Sequence, residues 1–354
     1  MSTGANRIKV AVAGASGYTG AELLRLLTAH PRVTITAVTA EKSAGARLGT
    51  VFPSLGASLP DLVCESLDPQ SLAERAEVIF LALPHTKSLD AAAAAVAAGR
   101  KVIDLSADYR LRDAAVYQQW YGTAHTHEAL LKEAVYGLPE VYREPIRKAR
   151  LVASPGCYPT AAILQLAPLV ARNLIDPATI VIDAKSGISG AGRSPALPYH
   201  FPEAHEALEA YNIGKHRHLP EIEQELSALQ PQAPTMRVVF TPHLVPMNRG
   251  ILSTAYCRLR DRHDTAALRS LYREHYKGEP FVHVCEDVAP NPRYLKGANT
   301  CQVTVHADAR TGWAVTVAAL DNLVKGAGGQ AIQAMNLMLG FPEETGLTGP
   351  GVYP

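Results

Sequence analysis

The glycine-rich loop Gly14-Ala15-Ser16-Gly17-Tyr18-Thr19-Gly20 stands between a β-branched run, Ile8 to Ala13, and a helix-like stretch, Ala21 to Leu27. A chain that leaves a strand through closely spaced glycines and enters a helix is restricted to few architectures. The glycines allow a tight turn and close approach of the backbone to a pyrophosphate, which the helix N-terminus then favours. The spacing is three and three rather than the two and three of the common fingerprint. A plain strand-to-helix turn is the competing reading, and the strand–loop–helix context favours a dinucleotide site. Gly14, Ser16, Gly17, Tyr18, Thr19 and Gly20 are the candidate contacts.

The rest of the first third continues the alternation. Val33 to Thr39 reads as a second strand, Val78 to Leu83 as a buried strand ending at Pro84-His85, Ser88 to Ala98 as a helix, and Val102 to Leu105 as another strand. That order predicts a Rossmann-type α/β domain with a parallel sheet and helices on both faces. An NAD site usually carries an acidic residue at the end of the second strand. Here the chain reads Thr39-Ala40-Glu41-Lys42-Ser43, with Arg47 beyond. Lys42, Ser43 and Arg47 suit a 2′-phosphate and Glu41 does not, so NADP(H) is favoured, with Thr39 at the strand end.

From about residue 155 strands dominate. Ile180 to Lys185, Arg237 to Thr241, Gly250 to Leu259, Thr300 to Ala307 and Trp313 to Leu320 read as strands, with helices near Ile222 to Ala228 and Ala266 to Tyr276. This predicts an α+β domain on a mostly antiparallel sheet. The expected division is 1–155 for nucleotide binding and 156–327 for catalysis and oligomerisation. A C-terminal segment, 328–354, is expected to return its apolar helix, Gly329 to Leu339, to the first domain.

Composition closes off other classes. The formal net charge is +1, so no charge footprint points to nucleic acid or an anionic membrane. The alanine-rich stretch Ala91 to Ala98 is too short to span a bilayer, and Met1 to Arg7 lacks a signal-peptide core. Cys64, Cys157, Cys257, Cys285 and Cys301 show no paired metal spacing. A reduced, cytoplasmic protein is expected, with no metal.

One of these thiols stands apart. Cys157 lies in Ser154-Pro155-Gly156-Cys157-Tyr158-Pro159-Thr160, after the apolar run Leu151-Val152-Ala153 and before the helix-like run Ala161 to Ala167. A thiol at a helix N-terminus sits where an anion is favoured, and the thiolate is the nucleophile. Nearby backbone donors suit an oxyanion. The other four cysteines read as inert buried residues, Cys257, Cys285 and Cys301 within strand-like runs. His216-Arg217-His218-Leu219-Pro220-Glu221-Ile222 places His218 just ahead of a helix, since Pro220 suits a first turn. A histidine there can move protons near neutral pH; a metal site or a solvated basic turn are the other readings. Arg110, in Asp104 to Leu111, suits a carboxylate or phosphate, or else a structural pair with an aspartate. Lys185, with Ser186 and Gly187 in the glycine-rich loop that follows, suits a cofactor or an anion.

Together these segments resemble the N-acetyl-γ-glutamyl-phosphate reductase family, the NADPH-dependent reductases of arginine biosynthesis. The matching pieces are Gly14 to Gly20, Leu83-Pro84-His85, Asp104 to Leu111, Tyr136 to Glu140, Ser154 to Thr160, His216 to Ile222 and Asn322 to Ala327, in the family's order. The aspartate-semialdehyde dehydrogenases share the architecture and the cysteine strategy, but Ile251 stands where their catalytic histidine would be. The resemblance implies Cys157 as nucleophile and His218 as acid/base. It implies Arg110, His216, Glu221, Lys185 and Lys296 as substrate contacts, and Pro84, Ser186, Gly187 and Asn322 as cofactor contacts. Relatives often carry arginine at the Lys296 position. The implied reaction is NADPH-dependent reductive dephosphorylation of N-acetyl-γ-glutamyl phosphate to N-acetylglutamate semialdehyde through a cysteine thioester, by a homo-oligomer that is tetrameric by resemblance. Reduction of the longer α-aminoadipyl phosphate, or a non-catalytic NADP-binding sensor, are the alternatives.

Overall fold

The computed structural model describes residues 7–232 and 235–353. The first six residues, read above for a signal-peptide core, lie outside the described residues. The chain divides into two units: residues through Pro155 with Ala327–Gly349, and Gly156–Gly326 with the residues from Pro350 onward.

The first unit is built on strands β1 (Ile8–Ala13), β2 (Val33–Thr39), β3 (Cys64–Glu65), β4 (Val78–Leu81), β5 (Lys101–Asp104), β6 (Val135–Tyr136) and β7 (Leu151–Ala153). They lie in the order β3-β2-β1-β4-β5-β7-β6, and every pairing is parallel. A parallel sheet needs cover on both faces. Ala11, Ala13, Ile79 and Leu81 pack with Leu72, Ala73, Leu89 and Ala92 of the helices Pro69–Arg75 and Leu89–Ala97. The intervening Val10, Val12 and Phe80 are fully buried as well. The C-terminal helix Gly329–Met338 is buried all round. It packs on the helices Tyr18–Thr28 and Pro139–Lys148, and its Gln333 Nε2 donates to Glu140 Oε1 at 3.3 Å. The expected return of 328–354 to this unit stops at Gly349. Beyond it, Val352 N donates to the carbonyl of Lys296 at 2.8 Å, and that backbone bond places the tail with the second unit.

The second unit carries β8 (Val181–Gly187), β9 (Glu209–Ala210), β10 (Val239–Val245), β11 (Ile251–Arg258), β12 (Val282–Val284), β13 (Cys301–Asp308) and β14 (Trp313–Leu320). Their order is β12-β13-β14-β11-β8-β10-β9. The pairs β13–β14, β14–β11, β11–β8 and β10–β9 are antiparallel; β12–β13 and β8–β10 are parallel. Strand residues alternate faces. One face of β11, β13 and β14 is buried against the helix Cys157–Ala171, with Gln165 Nε2 donating to Ser253 Oγ at 2.8 Å. Pro168 lies inside that helix and brings no N–H for the carbonyl of Leu164. The hydroxyl of Tyr276 donates to that carbonyl instead. Among the described residues no helix is long and apolar enough to cross a membrane.

Candidate active site

In the first unit the glycine loop meets its expected geometry. Gly14 has φ +84°, and a Cβ there would fall 2.3 Å from the carbonyl oxygen of Ala82. A Cβ at Gly20 would fall 2.4 Å from the carbonyl oxygen of Gly14. Only glycine fits at either point. Gly17 is the N-cap of the helix Tyr18–Thr28, in extended conformation and with no side-chain cap. A Cβ there would meet nothing closer than 3.7 Å. Bare backbone at an eleven-residue helix N-terminus with no acidic residue in its first turn fits the pyrophosphate of a dinucleotide. Thr39 anchors the loop, its carbonyl accepting Gly14 N at 3.1 Å and Ala15 N at 2.8 Å.

At the end of β2 the acidic residue has a backbone partner. Glu41 Oε1 accepts the N–H of Leu67 at 2.7 Å, which occupies the carboxylate on a neighbouring loop. Lys42 and Arg47 are exposed, and Ser43 is half-buried.

The segment that carries Pro84 is fixed from below. Asp108, fully buried, accepts Thr86 N at 2.6 Å, Ser88 N at 2.8 Å and the Tyr117 hydroxyl at 2.9 Å. Thr86 has φ +70°, a strained conformation for a β-branched residue, and Asp108 holds it there. Asp104, also fully buried, binds Ser106 through N–H and Oγ. Burial, then the neighbouring Asp108 charge, pushes the Asp104 carboxyl up to about 6. Arg110 is 5 % exposed. Its Nε donates to the Ser154 carbonyl at 2.7 Å and its terminal nitrogen to that of Leu105 at 2.8 Å. A substrate-binding role was expected for Arg110. These two donors tie the end of β5 to the strand that leads to the thiol turn.

In the second unit Cys157 is the first residue of a fifteen-residue helix, with Gly156 as its N-cap. The thiol is half-buried. Thr160 N and Oγ both donate to the Gly156 carbonyl at 3.0 Å, and Gly156 N donates to Glu221 Oε1 at 2.8 Å. Glu221 is 1 % exposed. Expected as a substrate contact, it faces inward and holds the thiol turn. His218 is the N-cap of the helix Leu219–Ala228. Its ring lies against Gly156, where a Cβ would fall 2.5 Å from Nε2. The glycine N-cap of one helix and the histidine at the N-cap position of another thus converge at the residue before the nucleophile. Gly326 closes from another side; its Cβ would fall 2.9 Å from Cys157 Cβ, within a short π-helical turn, Val324–Gly328.

His216 stands beside His218, ring centroids 4.8 Å apart. Burial, and then the Arg217 charge, lower its pKa to about 4. His216 is therefore neutral over the physiological range.

Lys185 and Ser186 were read together as a loop near the ligand, and strand alternation separates them. Ser186 is buried on the side of Ile251 and Ala184, the side packed by the cysteine helix. Lys185 is on the opposite face, paired with Asp183 at 2.8 Å. Gly187 is required by packing: a Cβ there would come within 2.8 Å of Arg249 N and Met247 O. Asn322, 2 % exposed, accepts Gly250 N at 2.7 Å and donates to Ser189 Oγ at 3.0 Å. Its side chain ties loops together. Lys296 is half-buried on a segment that Gly297 N fixes to Asp321 Oδ2 at 2.7 Å. Asp321 also pairs with Arg249 at 2.9 Å. Sequence reasoning missed Asp321, Asp108 and Glu41's backbone partner. For Asp321 the available signal was its place directly before Asn322.

The other thiols are mostly inert. Cys64, Cys257 and Cys301 are buried, and burial pushes the Cys257 thiol up to about 12. Cys285 departs from expectation: it is half-buried and lies just past β12 instead of inside a strand.

Two family models match, "Semialdehyde dehydrogenase, NAD binding domain" over residues 9–149 and "Semialdehyde dehydrogenase, dimerisation domain" over residues 157–322. N-acetyl-gamma-glutamyl-phosphate reductase of Desulforudis audaxviator is 52% identical over 98% of this chain and 100% of its own. That of Geotalea daltonii is likewise 52% identical, with the same coverage. The chain belongs to the N-acetyl-γ-glutamyl-phosphate reductase family. The fold extends further. Aspartate semialdehyde dehydrogenase with NADP from Candida albicans superposes with a TM-score of 0.72 at 19% identity, over 94% of this chain and 99% of that one. Against that background Ile251, the first residue of β11, is fully buried. His218 is the N-cap of the helix Leu219–Ala228, and His216 lies two residues before it.

Proposed function

We propose that this chain reduces N-acetyl-γ-glutamyl phosphate to N-acetylglutamate semialdehyde with NADPH, releasing phosphate, as a step of arginine biosynthesis. The observation that carries the reading is Cys157 at the first position of its helix, with the His218 ring against the adjoining Gly156. The names of the full-length relatives supply the substrate.

Cys157 Sγ attacks the acyl carbon; the C–S bond forms, the C–O bond to phosphate breaks, and phosphate leaves. The first-turn amides of the helix favour negative charge on sulfur before attack. The thioester divides one hard displacement into two easier steps. NADPH, when bound, supplies hydride; Gly14, Ser16, Gly17, Tyr18, Thr19 and Gly20 would hold its pyrophosphate, and Lys42, Ser43 and Arg47 its 2′-phosphate. His218 holds the proton that returns to sulfur when the C–S bond breaks. Lys296, half-buried, would meet the substrate's anionic groups. The enzyme acts in the cytoplasm as a homo-oligomer, a tetramer by family resemblance. The dimerisation-domain description and the exposed Val239 and Tyr256 on the sheet face away from the cysteine helix support association of copies.

The reverse reaction is the direct test. N-acetylglutamate semialdehyde and NADP should give NADPH absorbance only when inorganic phosphate is added. Formation of NADPH at the same rate without phosphate would exclude an acyl phosphate, and preference for the α-aminoadipate semialdehyde would move the substrate assignment.

A further inference from the structure

Behind His218 the second unit holds a directed chain of hydrogen bonds that neither the reaction nor the family description assigns. His218 N donates to His216 Nδ1 at 3.1 Å. A nitrogen that accepts a main-chain N–H carries no proton, so a neutral His216 ring carries its proton on Nε2. His216 Nε2 is 3.3 Å from the Tyr211 hydroxyl. The Tyr211 hydroxyl reaches that of Tyr158 at 3.3 Å, and the Tyr158 hydroxyl donates to the carbonyl of His243 at 3.1 Å. A carbonyl can only accept. The directions therefore close from both ends: His216 Nε2–H to Tyr211, Tyr211 O–H to Tyr158, Tyr158 O–H to His243. The two 3.3 Å links are longer than the usual range of about 2.5–3.2 Å, and the 3.1 Å bonds at the two ends of the chain set their directions.

The groups around His216 agree. Tyr158 from the cysteine helix and Phe240 from β10 meet its ring edge-on at 5.5 Å each, and Tyr211 does so at 5.4 Å. The charged neighbour is Arg217, which with burial disfavours the imidazolium. The geometry of His216 Nδ1 accepting the N–H two residues on is that of an Asx turn, a local side-chain hold on the backbone.

We infer that Tyr211, through Tyr158 on one side and His216 on the other, is a positioning residue that locks His216 as the neutral Nε2–H tautomer, and that His216 so locked fixes the turn that sets His218 against Gly156. The kinetic part rests on His218 acting as proposed above; the tautomer part does not.

The test uses the full-length enzyme labelled with 15N-histidine, the His216 signals being identified as those lost in His216→Asn. Two-bond proton–nitrogen spectra should show His216 with bare Nδ1 and protonated Nε2, uncharged down to pH 5. Protonation at Nδ1, or an imidazolium at pH 6.5, overturns the inference whatever the enzyme catalyses. In steady state, Tyr211→Phe should lower kcat by ~10-fold with KM for NADPH unchanged, the scale of a displaced acid/base group rather than a lost one. Two replacements of His216 separate hold from chemistry. His216→Asn keeps an acceptor two residues before His218 N and should retain kcat within ~10-fold. His216→Gln places its amide near Tyr211 but gives up the turn, and should lose ~100-fold. Equal losses in the two variants, or an unchanged kcat in Tyr211→Phe, overturn the positioning role. If no phosphate-dependent activity exists at all, the functional reading fails while the spectra still decide the tautomer.

Discussion

His218 Nε2 lies so near the α-carbon of Gly156 that one added methyl group would fall 2.5 Å away. The glycine is needed for this approach, not for its backbone, since φ −67° and ψ 153° suit any residue. The acid/base candidate and the nucleophile's turn are thus fitted to each other within one unit of the protein.

Gly156→Ala should therefore fold and fail. Its backbone angles permit alanine, while the methyl must displace the imidazole. A displacement of this order near reacting atoms costs about 100-fold in rate. The expected result is kcat down by that factor with a Tm within a few degrees of the parent, measured by steady-state assay and thermal unfolding. Full activity in the variant would show that the ring's seat is not part of catalysis.

Cys157→Ser should abolish turnover and leave NADP affinity nearly intact, because the hydroxyl is a far weaker nucleophile. Iodoacetamide at neutral pH should label Cys157 first among the five cysteines. Cys285, half-buried like Cys157, is the proper internal comparison. Its thiol is pushed up by burial, which leaves less thiolate to react. Peptide mapping that finds Cys285 labelled faster, with activity retained, would sink the assignment.

Cofactor preference follows from Glu41 being held by Leu67 N at 2.7 Å. NADPH should be preferred over NADH, and Lys42→Ala combined with Arg47→Ala should raise KM for NADPH at least ~10-fold while KM for NADH stays put. That factor is about 1.4 kcal/mol, ordinary for lost charge-assisted contacts to a phosphate. An equal effect on both cofactors would place these side chains elsewhere.

Local pattern carried much of this in the sequence. β1, β2 and β14 run over Ile8–Ala13, Val33–Thr39 and Trp313–Leu320, the bounds that β-branched runs and flanking breakers mark out. Cys157 at a helix start was legible because Pro-Gly precedes it and an apolar run follows. What was not legible depends on distant partners. Lys185 and Ser186 differ by one position, and which face holds the thiol is decided by where the Cys157–Ala171 helix docks. Arg110 and Glu221 look like ligand-binding charges in the sequence; only the fold reveals that they bond Ser154, Leu105 and Gly156. Tyr211 lies among exposed loop residues and carries no motif. Its role arises from Tyr158, which lies beyond fifty positions upstream in the chain.

The buried pair in the first unit gives a pH prediction. The Asp104 carboxyl is raised from its ordinary value of 3.8 to about 6, by burial and by Asp108. The folded protein then holds this proton more tightly than the unfolded chain. Stability from Asp104 is greatest at low pH and declines as pH rises from about 4 to about 6, by at most about 3 kcal/mol. Asp104→Asn removes that term. Relative to the parent, the variant should gain in Tm at pH 7 compared with pH 5. A difference between the two proteins that is flat over this range, or of opposite slope, would show that Asp104 titrates normally.

The last prediction concerns His218 itself. If it returns the proton to sulfur, His218→Asn should lower kcat by ~100- to 10,000-fold, the range for losing general acid–base catalysis. Attack on the acyl phosphate uses Cys157 and the helix amides, which the substitution leaves in place. A burst of phosphate, at most one per active site, should therefore persist in rapid-quench experiments, though slowed. Asparagine also serves as an N-cap, so the helix Leu219–Ala228 keeps its start and the fold should survive. Two outcomes count against the role. Loss of both burst and turnover would place His218 in thiol activation. Near-normal kcat would remove it from the chemistry, and the neutral His216 beside it, with its pKa lowered to about 4, would be a poor substitute as the proton donor at neutral pH.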